Sequence, residues 1–135
     1  MANNNRLPLS LLLLRIGVFI VMFIWTLDKF VRPEHAGGVY QNFYHIPGVG
    51  GTALSVIAAV EMLIIIGFLV GYKKKWTYGA VLVLHGISTI AAYKQYLAPF
   101  AGGNILFFAA WPMLAACFTL YVLRNQDTMW VIEAK

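Results

Sequence analysis

Four long apolar runs dominate this chain of 135 residues, at about residues 7–30, 51–72, 76–97 and 104–123. About 20 helical residues, at about 1.5 Å each, match the hydrocarbon thickness of a bilayer. The runs are continuously apolar and lack the alternation of barrel strands, and backbone amides in hydrocarbon must be satisfied within their own segment. The pattern predicts an all-α integral membrane four-helix bundle that forms a single domain, 1–135.

The composition excludes an ordinary soluble domain. Hydrophobic residues make up 61% of the chain and charged residues 11%, whereas soluble domains have about 25% charged residues. A small soluble domain could not bury so much apolar surface. The net charge of +5 comes from basic residues between the apolar runs rather than from a basic patch. The expected partner is therefore the lipid bilayer, and nucleic acid is not expected.

The distribution of basic residues predicts the orientation. One side of the membrane would hold six of them: Arg6, Lys73, Lys74, Lys75, Arg124 and Lys135. The other side would hold three: Lys29, Arg32 and Lys94. Since basic residues concentrate on the cytoplasmic side, both termini are predicted to be cytoplasmic in a bacterial-type inner (plasma) membrane. The aromatic first connection, residues 31–50, is predicted to lie outside as a short interfacial segment between helices 1 and 2.

Three ionisable residues inside the spans are the candidate catalytic residues: Arg15, Glu61 and His85. From the cytoplasmic end their depths are roughly 12, 16 and 14 Å. An unpaired charge at such depth is costly, so mutual pairing is expected. We predict an Arg15–Glu61 ion pair with His85 hydrogen-bonded nearby. The centre is either a structural clasp or a proton relay or ligand site.

A second polar group is predicted near the outer face and supplies the candidate ligand-binding residues: Asp28, Lys29, Tyr93, Tyr96 and Asn104. At 100° per residue, Arg15, Met22, Thr26 and Lys29 share one side of the first helix. This stripe is suited to a pocket for a quinone-like ring or an anionic substrate. The alternative is that Lys29, Arg32 and Lys94 simply reach the lipid headgroups.

The histidines His35, His45 and His85 raise the question of a cofactor. No pair has the i, i+3 or i, i+4 spacing, and Cys117, the one cysteine, cannot form a CxxCH motif. These observations argue against haem, although histidines from different segments could still ligate a b-type haem. The methionines are interpreted as packing residues rather than metal ligands, and no metal site is predicted.

Two backbone features have packing consequences. Gly67 and Gly71 form a GxxxG pattern, which favours close helix approach inside the bundle or in a dimer. Pro112 removes one backbone hydrogen bond from the fourth run and is predicted to kink it.

Short motifs resemble the DoxX-like family of small four-helix membrane proteins (DoxX/DoxD). They are residues 13–17 (Leu-Leu-Arg-Ile-Gly), residues 27–30 (Leu-Asp-Lys-Phe) with Pro33 shortly after, and Glu61 followed by the two glycines. The resemblance implies an inner-membrane protein often associated with redox systems. One branch is linked to thiosulfate:quinone oxidoreductase activity, and other members are described as oxidoreductase accessory subunits. It marks Arg15, Lys29 and Glu61 as the family-type polar residues.

The leading hypothesis is a membrane subunit of a quinone-linked redox complex, with quinone as a potential cofactor and enzymatic activity only as part of that complex. A rival is a non-catalytic scaffold or assembly subunit that anchors a partner protein. A third is a small-molecule or proton carrier built around Glu61. A protein partner subunit or a homo-oligomer is expected in each case.

Overall fold

The computed structural model describes residues 4–132, and within that range the chain is helical and has no strand. The helices are α1 (Arg6–Val31), α2 (Pro33–Phe43), α3 (Gly51–Leu69), α4 (Lys74–Ala91), α5 (Tyr93–Leu97) and α6 (Ala110–Val122), and a 3₁₀ segment (Asn104–Ala109) precedes α6. The predicted all-α class is confirmed. Lys135, which entered the count of basic residues, lies outside the described residues.

Three segments are long and apolar enough to cross a membrane: Arg6–Val31, Gly51–Leu69 and Asn104–Val122. They correspond to three of the four predicted spans. The third predicted span corresponds to α4 and α5. Helix α4 has 18 residues but does not reach the same hydropathy, because it begins with Lys74 and Lys75 and contains His85.

The boundary between α1 and α2 follows from one proline. Steric contact with a proline ring moves the preceding residue out of the helical region, and Arg32 has φ −131° and ψ 68°. Pro33 then begins α2, where its missing N–H has no helical partner to lose. The predicted short segment between the first two long helices is therefore a helix of 11 residues.

The bundle packs α1 mainly against α3, and α4 against α6 and α3. Its core is formed by the inward faces of these helices and includes Leu11, Val18, Met22, Ile65, Phe68, Tyr78, Val81, Cys117 and Leu120. The outward faces are also apolar: Leu63, Ile90 and Leu106 are each more than 70% exposed. Such a surface would be costly in water, so its natural surrounding is hydrocarbon.

The GxxxG pattern packs within the chain. A Cβ on Gly67 would lie 2.9 Å from Thr77 Cγ2, so the glycine allows α4 to approach α3. Gly71 has φ +69° and ends α3 in a tight turn, where a Cβ would overlap the side chain of Val131. Both glycines therefore serve the fold of a single chain.

The residues after α6 form a C-terminal segment, residues 123–132, that folds back onto the turn between α3 and α4. The Ile132 N–H donates to the Val70 carbonyl at 2.9 Å. The short, polar composition of this segment gave no indication that it packs against the bundle. At the other end of α6, the change from 3₁₀ to α-helix occurs just before Pro112, the residue predicted to distort this span.

Replacing Gly71 with alanine should destabilise the protein by about 2 kcal/mol or more, since the new Cβ would be strained at positive φ and would displace Val131. Thermal unfolding in detergent measures the effect. Gly103→Ala is the matched control, because Gly103 has φ −94° and open space around it. Equal stability of the two variants would contradict the assigned role of the C-terminal segment.

Candidate functional site

Arg15 lies in a buried cluster that we call the inner polar centre, formed by Arg15, Lys74, Tyr78 and Asp127. Arg15 is 1% exposed and Asp127 is not exposed at all, and their side chains form an ion pair. The Tyr78 hydroxyl donates to the second Asp127 oxygen at 2.6 Å. The Lys74 ammonium donates to the Asp127 carbonyl. Each oxygen of the Asp127 carboxylate therefore has a partner, and the backbone carbonyl of the same residue has a third.

The same arginine also ties down the rest of the C-terminal segment. Its Nη2 donates to the carbonyls of Met129 and Trp130, at 2.7 and 3.2 Å. A buried ion pair needs such additional hydrogen bonds to offset the cost of desolvation. The arrangement fits the structural clasp that the sequence analysis considered for Arg15, with a different partner.

The predicted cluster of Arg15, Glu61 and His85 is not formed. Arg15 pairs with Asp127, whereas Glu61 pairs with Lys29. Lys29 lies 14 residues beyond Arg15 on α1, a rise of about 21 Å, so Glu61 could not serve both. The sequence contained one usable signal. Asp127 follows the last span by only a few residues and was a possible partner at the same end of the bundle as Arg15.

His85 joins α4 to the start of α6. Its Nε2 lies 3.0 Å from the Ala110 carbonyl oxygen, so the ring donates a hydrogen bond there. The ring also stacks on Trp25, with centroids 5.9 Å apart. These contacts give His85 a packing role. Within residues 4–132, no group of three or more His, Cys, Asp or Glu residues is placed to hold a metal ion.

A cavity of about 1340 Å³ lies between α1, α2, α4 and α6. We call it the outer cavity, because it reaches the end of the bundle that carries α2. Along α1 it extends from Leu13 to Lys29, 16 residues or about 24 Å. Most of its wall is apolar and includes Val18, Met22, Trp25, Leu84, Phe107 and Met113. The predicted stripe on α1 therefore faces the cavity from Met22 to Lys29, while Arg15 lies outside its wall.

The outer cavity opens towards the apolar surface of the bundle. Three wall residues, Ile24, Ile87 and Leu106, are each more than 50% exposed. An apolar molecule could therefore enter sideways from hydrocarbon without crossing water.

Lys29 and Glu61 form the polar end of the outer cavity. Lys29 Nζ lies 2.8 Å from Glu61 Oε1, and each side chain is 15% exposed. The contact is an ion pair without hydrogen-bond geometry, since Glu61 Oε1 has no hydrogen-bond partner among the described residues. Burial, helped by the negative charge of Glu61, raises the pKa of the nearby Tyr40 to about 12. The Tyr40 hydroxyl therefore stays protonated and can donate.

At the mouth of the cavity, Asp28 holds two neighbours. Its Oδ1 accepts from Arg32 Nε and its Oδ2 lies beside His35 Nδ1, both at 2.6 Å. Arg32 and His35 are more than half exposed, so these contacts contribute little to stability. Tyr44 and Ser88 share a hydrogen bond of 2.8 Å, which joins α2 to α4.

The structure places three of the five predicted ligand-binding residues in the cavity wall: Asp28, Lys29 and Tyr96. The Tyr96 hydroxyl donates to the Thr89 carbonyl at 2.8 Å. Tyr93 and Asn104 are not part of the wall. Tyr93 is 49% exposed, and the Asn104 amide donates to the Ala98 carbonyl at 3.0 Å to close a turn.

Comparison with known proteins gives no match to a family model, to a curated protein or to a solved structure. The resemblance to the DoxX-like family stays a prediction that depends on the short motifs alone.

Replacing Asp127 with alanine should destabilise the protein by about 3–5 kcal/mol, because the buried Arg15 charge would lose its partner. Unfolding by heat or SDS in detergent measures the loss. Asp127→Asn should be less harmful, since it keeps an acceptor for Tyr78. Glu34→Ala, an exposed site on α2, is the control. A loss below about 1 kcal/mol for Asp127→Ala would contradict the clasp.

Proposed function

We propose that this chain is an integral membrane protein whose outer cavity binds a quinone-like amphiphile and that it is a membrane subunit of a quinone-linked redox complex. The observation that carries the proposal is the polarity of the cavity. It is apolar for about 24 Å and ends at the Lys29–Glu61 ion pair. Such a shape fits a polar ring at one end and an apolar tail along the rest.

The charges of the wall favour a neutral head group over an anion. Lys29 is paired with Glu61, and Arg32 is paired with Asp28. Each basic side chain is thus balanced by a carboxylate, so an anionic ligand would gain little attraction and would be repelled by the two acids. We therefore favour the quinone-like ring over the anionic substrate.

The topology proposed is four spans with both termini in the cytoplasm of a bacterial-type inner membrane. Helix α4 rises about 27 Å over its 18 residues, close to the hydrocarbon thickness. It packs along α3 and α6, which are both apolar enough to span. Of the two lysines at its beginning, which account for its lower hydropathy, Lys74 is satisfied inside the inner polar centre and the exposed Lys75 can extend to the headgroups.

A partner subunit is part of the proposal. The DoxX-like resemblance implies accessory or catalytic roles within redox complexes, and a single cysteine provides no dithiol pair within these 135 residues. In this arrangement the chain holds the amphiphile in its cavity, and the partner supplies the electron-transfer centre.

Ligand binding is tested by purifying the protein in mild detergent and identifying bound small molecules by native mass spectrometry. We expect a neutral quinone-type amphiphile. Gly17→Trp should weaken the binding of added decyl-benzoquinone several-fold, because the indole would occupy the cavity. Gly38→Trp, in open space outside the wall, is the control. A protein free of amphiphile that retains a stoichiometric partner subunit would instead favour the scaffold.

The topology is tested by cysteine labelling in a Cys117→Ala background. A membrane-impermeant maleimide should label Asn42→Cys and Ala101→Cys in intact cells or spheroplasts, and Gln126→Cys only after permeabilisation. All three positions are exposed. Protection of Ala101→Cys until permeabilisation, with Asn42→Cys labelled, would mean that α4 does not cross the membrane.

A further inference from the structure

The Glu61 carboxylate is short of hydrogen-bond donors. An ionised carboxylate has about four acceptor positions. Oε1 is buried and has no hydrogen-bond partner in the described part of the chain, and its contact with Lys29 Nζ is an ion pair only. Oε1 itself is enclosed beside Lys29, but Glu61 lines the cavity and its side chain is 15% exposed. The second carboxylate oxygen, Oε2, is therefore the acceptor that a ligand in the cavity can reach.

Donors for a ligand oxygen are present at the same place. The Lys29 ammonium carries three N–H groups. Within residues 4–132 its one ion-pair partner is Glu61, so N–H groups are left for a ligand. The protonated Tyr40 hydroxyl lies in the same wall. An oxygen of the ligand can thus accept a hydrogen bond from Lys29 or Tyr40, whether the ligand is oxidised or reduced.

The two oxidation states of a quinone differ in what they offer to Glu61. A quinone carbonyl only accepts, so it would satisfy Lys29 and leave the carboxylate without a donor. A hydroquinone hydroxyl can accept a hydrogen bond from Lys29 through its oxygen. Its O–H can at the same time donate a hydrogen bond to Glu61. A site built to bond a ligand O–H rejects an analogue that lacks it, because the acceptor that faces the ligand is then covered without a donor.

We propose that the Lys29–Glu61 end of the outer cavity selects an amphiphile with a neutral, hydroxyl-bearing aromatic head, and so binds the hydroquinone in preference to the quinone. The inference rests on the proposed function, because it requires that the cavity bind an amphiphile at all. Glu61 is the specificity-determining residue in this site, and Lys29 positions it.

The experiment compares three probes with the same decyl tail: the hydroquinone, the quinone and the hydroquinone dimethyl ether. The ether keeps the ring and the oxygens but has no O–H. Binding to the full chain in nanodiscs is measured by isothermal titration calorimetry without oxygen. We expect the hydroquinone to bind about tenfold or more tighter than both other probes, as the loss of one hydrogen bond to a charged acceptor implies.

Variants assign the preference to Glu61. The double variant Lys29→Met with Glu61→Leu keeps the cavity apolar and leaves no buried charge unpaired, so it should fold and bind hydroquinone and quinone within about twofold of each other. Glu61→Gln keeps an acceptor oxygen and should retain part of the preference. Glu34→Gln, an exposed acid outside the cavity wall, is the matched control and should retain all of it.

The outcomes separate the two proposals. Equal binding of the three probes, or tighter binding of the quinone or the ether, would overturn the selectivity and leave the cavity as an amphiphile site. A preference that persists in the double variant would show that Glu61 is not responsible and would also overturn the inference. Failure of all three probes to bind to the folded protein would overturn the proposed function itself.

Discussion

A buried charge needs a partner of opposite charge, and this requirement determines most of the structure. Arg15 lies inside an apolar bundle, and its charge is met by Asp127 and by carbonyls of the C-terminal segment. That pairing draws residues 123–132 into the bundle and closes the end formed by the turn between α3 and α4. The same requirement acts on Glu61 and Lys29 at the other end. Because there are two separate ion pairs, the bundle has two polar ends, with the apolar wall of the outer cavity extending from one of them.

The two ends differ in how completely their carboxylates are paired. Around Asp127, the arginine, the lysine and the tyrosine supply donors from different directions, and the carboxylate is fully buried. Around Glu61, one ammonium group supplies charge without a directed hydrogen bond, and the side chains remain partly open to the cavity. A buried carboxylate with both oxygens paired rigidifies a fold, whereas the Glu61 carboxylate lines a cavity. We therefore interpret the first end as structural and the second as the binding site.

The sequence was sufficient to predict helix positions but not charge pairing. Hydropathy predicted α1 and α3 close to their observed bounds, because these depend on local composition, and it placed a short segment between them without giving the bounds of α2. The partner of Arg15 depended on the path of the chain after α6, and a polar tail carries no periodic signal for such a path. The depths predicted for Arg15, Glu61 and His85 were counted in residues along each helix. That count assumed that all spans begin at the same level in the membrane. The long Lys29 side chain, near the end of α1, instead met Glu61.

The separation of Arg15 and Asp127 by 112 residues has a consequence for biogenesis. Synthesis at about 5–20 residues per second means that α1 is made roughly 6–22 seconds before its carboxylate partner exists. During that interval the guanidinium must stay hydrated, be shielded by the insertion machinery or bind a lipid phosphate. Once Asp127 has been synthesised, the arginine can exchange that temporary partner for the Asp127 carboxylate. A chain truncated before Asp127 would keep an unneutralised arginine in the bilayer, which a membrane protease could recognise as a mark of incomplete assembly.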